Sequence, residues 1–152
     1  SLLNSESRQF LVGEQIASAR WVKKIGLEPL SMAYLVVEPG MAAGRVGQAQ
    51  PLPRDDPDLV VSHALAGQYL GMSYIYLEAG SGASQPVPSE IIRAVRDEID
   101  VFQIVGGGIK TPEAALEVVK AGADIVVTGT LVETSEKLKE EMSKLIDSIH
   151  SG

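Results

Sequence analysis

One carboxylate in this chain stands directly before small residues, in the stretch YLEAGSGA at residues 76–83. Glu78 ends an otherwise apolar run, and an unpartnered carboxylate buried there would destabilise the fold by roughly several kcal/mol. It therefore needs donors, either from a salt bridge or backbone N–H groups or from the hydroxyl groups of a bound polyol, and we favour contact with a ligand. Tyr76 precedes Glu78 by two residues and so shares its face of a strand, where its phenol either packs or donates to a phosphate.

Glycine-rich turns follow three predicted strands, at EAGSG (78–82), VGGGIKTPEAA (105–115) and VTGT (127–130). Turns that follow parallel strands lie at the same, carboxyl-terminal edge of a sheet, so we expect these three to converge. Glycine lets backbone N–H groups approach a ligand closely, and helix N-termini add unpaired N–H groups with partial positive charge. Ordinary turn chemistry explains any single one of them better. Three in consecutive units favour a phosphate site built from backbone groups.

Four apolar runs predict buried parallel strands, with helical periodicity around them. The strands are expected at 32–37, 72–78, 101–105 and 124–128, and the helices at 6–25, 56–70, from 89 onward, 111–122 and 134–149. This alternation predicts an α/β fold with a parallel sheet, which right-handed crossovers either leave open or close into a barrel. Leu2 and Leu3 fit the last residues of a strand, so we expect the chain to start within a larger sheet; the alternative is an open four-stranded domain.

Two segments near the expected site have unusual loop character. Residues 38–57 form a long Gly/Pro-rich βα loop, which is typical of a lid or binding loop and otherwise of a disordered insertion. The stretch LVET, which follows Gly129 and Thr130, has the place of the short extra helix that supports phosphate sites in βα barrels.

Composition excludes several functional classes. The chain has 152 residues, which we assign to a single domain, 1–152, and its net charge of −7 argues against a nucleic-acid surface but not against a small phosphorylated ligand. It has no cysteine, which excludes disulfides and thiolate metal sites and fits a reducing cytoplasm. No run of about 18 apolar residues predicts a membrane span. His63 and His150 are expected at the surface, and we assign no metal ligand in this chain.

Several stretches together are similar to one family. SLLNS, SMAYLVVEPG, YLEAGSGA and VGGGIKTPEAALEVVKAGADIVVTGT resemble the geranylgeranylglyceryl phosphate synthases, in the version found in many archaea. The resemblance covers residues 1 to about 135. It implies a (βα)8 TIM-barrel fold, in which this chain holds the end of strand 4, strands 5 to 8 and the C-terminal helix. The missing first strands are expected to carry the Mg²⁺ ligands.

The resemblance also implies a set of residues that bind sn-glycerol 1-phosphate. These residues are Tyr76, Leu77, Glu78, Ala79, Gly80, Ser81, Gly82, Gly107, Gly108, Gly129 and Thr130. Some members of the family have Asn where this chain has Thr130. Glu78 is the candidate catalytic residue, either as the acceptor of the hydroxyl proton or as a positioning group.

The reaction implied is transfer of a geranylgeranyl group from geranylgeranyl diphosphate to the C3 hydroxyl of sn-glycerol 1-phosphate, with Mg²⁺. We expect a cytoplasmic enzyme, inactive in the isolated segment, in which an exposed sheet edge favours a homo-oligomer. Two alternatives remain: a different phosphate-binding TIM-barrel enzyme, and an inactive half-barrel that only binds phosphate.

Overall fold

A four-stranded parallel sheet forms the centre of the computed structural model, which describes residues 1–135 and 137–150. The strands are β1 (Met32–Val36), β2 (Tyr74–Glu78), β3 (Phe102–Gly106) and β4 (Ile125–Val127), and they are neighbours in chain order. Pairing is in register, with Tyr34 opposite Tyr76 and Tyr76 opposite Ile104. The predicted α/β fold with a parallel sheet is therefore confirmed.

Helices connect and follow the strands. After a π-helical turn at Gln9–Gly13 they are α1 (Glu14–Ile25), α2 (Met41–Val46), α3 (Pro57–Tyr69), α4 (Ser89–Glu98), α5 (Pro112–Lys120), α6 (Thr130–Thr134) and α7 (Leu138–His150). Two start as the sequence predicts: the side chains of Asp56 and Thr111 accept N-cap hydrogen bonds, and a proline follows each cap.

Two helix predictions need correction. The helix expected at 134–149 starts instead at Leu138, because Thr134 closes the short helix α6 that the LVET stretch forms; residue 136 lies outside the described residues. The first helix, predicted at 6–25, instead begins with the π-helical turn and continues as α1, which contains no buried residue; Ile16 and Trp21 are each more than half exposed.

The core lies between the helices and one face of the sheet. Alternate strand residues such as Leu35, Ile75, Leu77 and Val105 are fully buried there, because successive side chains of a strand point to opposite faces. On the other face, the side chain of Phe102 is exposed, and so are the side chains of Ile125 and Val127 in the edge strand β4. The helices therefore cover one face of the sheet more completely than the other.

The loop at 38–57 is ordered by backbone hydrogen bonds. Leu52 donates its N–H to Val36 and accepts from Glu38, so the returning chain pairs with the end of β1. Gly40 donates to the carbonyl of Ala79 at 3.0 Å, which joins the loop to the end of β2. The loop contains helix α2, so the alternative of a disordered insertion is wrong.

The first residues of the chain extend the sheet beyond β1. Leu2 forms a parallel bridge with Tyr34, and the N–H of Leu3 donates to the Tyr34 carbonyl. The prediction that Leu2 and Leu3 form the end of a strand is therefore confirmed. No helix in the described part of the chain is long and apolar enough to cross a membrane.

Candidate functional site

The three glycine-rich turns meet at the carboxyl-terminal edge of the sheet, where they enclose a cavity of about 120 Å³. Its lining residues are Glu78, Ser81, Gly107, Gly108, Ile109, Val127, Thr128, Gly129 and Thr130. Each of the three turns contributes at least one of them. The structure therefore shows the predicted convergence of the turns around a single space.

The structure separates the predicted site residues into two groups. Glu78, Ser81, Gly107, Gly108, Gly129 and Thr130 line the cavity. The other five, Tyr76, Leu77, Ala79, Gly80 and Gly82, do not line it. Leu77 and Ala79 belong to the hydrophobic core, Gly80 is buried, and Gly82 is exposed.

Glu78 is almost fully buried, at 6% exposure, and its carboxylate is held by donors from the protein. Oε1 accepts from the N–H of Gly80 at 2.6 Å, and Oε2 accepts from the hydroxyl of Tyr34 at 3.1 Å. A carboxylate accepts up to about four hydrogen bonds, and Glu78 lines the cavity, so acceptor capacity remains for a ligand. The protein thus supplies the donors that prevent an unpartnered buried charge, and the carboxylate can still accept from a ligand.

Two tyrosines from neighbouring strands support this carboxylate. The rings of Tyr34 and Tyr76 meet edge to face, with centroids 4.6 Å apart. Burial is the main cause that raises the pKa of both phenols well above the usual range, and the charge and hydrogen bonding of Glu78 raise it further. Both phenols therefore remain protonated at neutral pH and can act as hydrogen-bond donors.

Gly107 lies against Glu78, where no larger residue fits. Its φ is +81°, and a Cβ there would collide with Oε1 of Glu78 and lie 2.5 Å from the N of Gly80. In the described part of the chain, the N–H groups of Gly107 and Gly108 donate to no protein acceptor. Both residues line the cavity next to the carboxylate, so their N–H groups are candidate donors to an anion there.

Loop 38–57 supports the first glycine-rich turn from outside. A Cβ on Gly80 would lie 2.6 Å from Met41 Cβ and 2.7 Å from the backbone of Gly40, so the two backbones touch. Arg54, within the same loop, donates to the carbonyls of Glu38 and Pro86. That arginine holds the loop to the chain after β2 and does not line the cavity.

Sequence reasoning missed two residues that shape the site. Tyr34 is not among the predicted site residues, but its hydroxyl donates to Glu78. Thr128 lines the cavity, and its hydroxyl donates to the carbonyl of Ile109 at 3.0 Å. A threonine directly before Gly129 at the end of a strand was the only available signal.

Metal ligands are not grouped in the described residues. Across 1–135 and 137–150, no set of three or more His, Cys, Asp or Glu side chains could hold a metal ion. Glu78 is the single such side chain in the cavity lining. These residues on their own do not fit a Mg²⁺ site.

Comparisons with known proteins place this geometry in a family. The PcrB family model matches residues 1–150. The geranylgeranylglyceryl phosphate synthase of Pyrococcus horikoshii is 55% identical over 152 residues, which are 100% of this chain and 59% of that protein. The chain thus spans less than two thirds of the length of this relative.

Solved structures similar to this chain support the same family. The (S)-3-O-geranylgeranylglyceryl phosphate synthase of Thermoplasma acidophilum, in complex with its substrate sn-glycerol-1-phosphate, matches with a TM-score of 0.97 and 46% identity, over 100% of this chain and 62% of that one. The Thermoplasma volcanium protein matches with a TM-score of 0.95 and 43% identity, over 100% of this chain and 61% of that one. These neighbours are TIM-barrel proteins, and this chain corresponds to their C-terminal portion. The chain belongs to the PcrB family.

Proposed function

We propose that this chain forms the glycerol-phosphate-binding portion of a geranylgeranylglyceryl phosphate synthase. The observation that carries the proposal is the cavity in which three glycine-rich turns meet beside the buried carboxylate of Glu78. The substrate named for the Thermoplasma acidophilum relative has a phosphate and two hydroxyl groups, which match these two kinds of group. Backbone N–H groups suit the phosphate, and the carboxylate suits a hydroxyl.

In the proposed complex, the N–H groups of Gly107 and Gly108 donate to the phosphate from one side. Gly129 and Thr130 lie across the same cavity and complete the phosphate site. Ser81 and Glu78 line the remaining wall, where the glycerol carbons and hydroxyls would lie. The other predicted contact residues of the first turn, Tyr76, Leu77, Ala79, Gly80 and Gly82, act in this proposal through the conformation of the turn.

Glu78 orients the C3 hydroxyl toward the first carbon of geranylgeranyl diphosphate. The hydroxyl oxygen forms the new bond to that carbon, the bond from carbon to diphosphate breaks with its electron pair leaving on the diphosphate, and the hydroxyl proton passes to Glu78. Holding the alcohol in line contributes much of the rate, because it replaces a random encounter with a fixed geometry. A positioned base contributes roughly a further 10²- to 10⁴-fold.

The remaining features of the proposal concern the whole protein. We propose that it uses Mg²⁺, with ligands from the part of the relatives that lies outside the matched region, since the described residues do not group such ligands. We further propose a cytoplasmic archaeal enzyme of lipid biosynthesis, built as one domain and able to form a homo-oligomer.

The test is prenyl transfer to sn-glycerol 1-phosphate, measured with labelled geranylgeranyl diphosphate. Two proteins are compared: the 152-residue chain, and a hybrid that adds the preceding portion of the Pyrococcus horikoshii relative. We expect the hybrid to form the ether product and the chain alone to form none. Robust turnover by the chain alone would show that the preceding strands are not needed, and a folded hybrid without transfer would contradict the proposed function.

A second arm tests Glu78 in the same hybrid. Glu78→Gln keeps the size of the side chain and removes its basicity, so turnover should fall at least about a hundredfold. Glu38→Gln is the matched control, because Glu38 is an exposed carboxylate in the loop after the neighbouring strand and does not line the cavity. Equal rates for Glu78→Gln and the unchanged hybrid would remove Glu78 from the chemistry.

A further inference from the structure

Thr128 connects two of the three turns through its side chain. It follows β4 directly, lines the cavity and is partly buried. Its Oγ1 donates to the carbonyl of Ile109 at 3.0 Å, and Ile109 is itself 2% exposed and lines the same cavity. The hydroxyl therefore ties the turn after β4 to the turn after β3 within the site.

The backbone ladder does not reach this point. Pairing between β3 and β4 ends at Gly106 and Val127, since β4 has only three residues. Beyond that pair, the Thr128 hydroxyl provides a hydrogen bond between the two turns that the sheet no longer provides. This hydrogen bond lies where the two turns separate to form the cavity.

Packing holds the two turns to different extents. A Cβ on Gly108 would collide with the backbone of Gln85 and lie 2.7 Å from the N of Pro86, so the turn after β3 is clamped by its neighbours. A Cβ on Gly129 would meet nothing within 4 Å, and Gly129 is exposed. Gly129 itself thus has open space around it, and the Thr128 hydroxyl, together with the packing of Leu131 against the core, holds the turn after β4.

We propose that Thr128 is a positioning residue for the phosphate site, whose hydroxyl fixes the backbone of Gly129 and Thr130 relative to that of Gly107 and Gly108. A phosphoryl group bridging both turns needs its donors at a set separation, because hydrogen bonds weaken steeply outside a narrow range of distance and angle. This inference rests on the proposed function, since it concerns the same phosphate site.

The test measures the dissociation constants of sn-glycerol 1-phosphate and of inorganic phosphate by titration calorimetry on the 152-residue chain. Thr128→Val keeps the β-branched shape and removes the hydroxyl, and we expect it to raise both dissociation constants about five- to tenfold. Thr128→Ser keeps the hydroxyl, and we expect it to stay within about twofold of the unchanged chain.

The control variant separates positioning from loss of stability. Asp56→Ala removes the N-cap hydrogen bond to Leu59 outside the cavity, so it lowers the melting temperature and leaves both dissociation constants unchanged. Equal affinity for Thr128→Val and the unchanged chain would overturn the inference while leaving the proposed function in place. A loss of affinity that Asp56→Ala matches, or that Thr128→Ser does not restore, would also overturn it. Absence of binding by the unchanged chain would overturn the proposed function, and this inference with it.

Discussion

At the scale of single residues, the central feature is one buried carboxylate fixed by groups from three segments. Glu78 accepts from Tyr34 in the neighbouring strand and from Gly80 in its own turn, and Gly107 lies against it from the next unit. These contacts limit the orientations open to the carboxylate. A fixed acceptor beside the proposed phosphate site is suited to orienting an alcohol, because little reorganisation would remain when a substrate binds.

The two phenols beside Glu78 predict a distinctive pH dependence. In the folded chain Tyr34 and Tyr76 have raised pKa values, whereas in the unfolded chain they lose their protons near pH 10. The unfolded state therefore releases protons first, so the stability they contribute is complete below about pH 10 and decreases as the pH rises above it. Phenolate absorbance of the native chain should therefore show a late phase from these two tyrosines.

A double variant checks that Tyr34 and Tyr76 are the tyrosines that titrate late. Tyr34→Phe combined with Tyr76→Phe should remove the late phase of the phenolate titration. The account of these phenols is wrong if the native chain shows no late-titrating phase before it unfolds.

The sequence predicted part of this cluster. Strand alternation placed Tyr76 and Glu78 on one face, because their spacing of two residues is a local property. It did not predict the bond from Tyr34, since that contact depends on the register that sets Tyr34 opposite Tyr76. Register is decided by pairing between distant segments, and a single sequence does not state it.

At the scale of elements, the N-terminal segment acts as a partner for the edge of β1. The side chain of Asn4 accepts from the N–H of Val36 at 3.0 Å and donates to the Val36 carbonyl at 2.8 Å. It also donates to the carbonyl of Gln50, in the loop that ends at 57. One buried amide therefore joins the chain start, the strand and the loop.

Removal of that amide should be strongly destabilising. Asn4→Ala leaves the N–H of Val36 without an acceptor, whereas the Val36 carbonyl still accepts from Leu52. An unsatisfied buried group costs about 1–3 kcal/mol, so the free energy of unfolding should fall by about 1–3 kcal/mol. Urea denaturation measures this change in the free energy of unfolding. The control is Ser18→Ala, which removes a hydroxyl from exposed helix α1 and should change stability by less than about 0.5 kcal/mol. An equally small fall in the free energy of unfolding for Asn4→Ala would contradict the stabilising role assigned to the Asn4 amide.

The elements were predicted best where local signals agree. The starts of α3 and α5 followed from a capping residue and a proline. Helix α2 was not predicted, because it has only six residues and contains Gly44. Its position depends on contacts with Pro51 and with the end of β2, which come from elsewhere in the chain.

At the scale of the whole molecule, a chain with a net charge of −7 presents a candidate site for an anion. The described residues that line the cavity include no lysine or arginine, so an anion bound there would depend on backbone N–H groups. Convergence of the three turns was predictable, because parallel topology alone places them at one edge. Their separation was not predictable, since it depends on side chains such as Thr128.

The most direct test of the account is a crystal structure of the chain with sn-glycerol 1-phosphate. We predict one phosphate between the turns, with its oxygens about 3 Å from the backbone N atoms of Gly107 or Gly108 and of Gly129 or Thr130, and a glycerol hydroxyl at hydrogen-bond distance from Glu78. A phosphate bound elsewhere, or one held by a single turn with the glycerol directed away from Glu78, would contradict the claim that these turns form one substrate site.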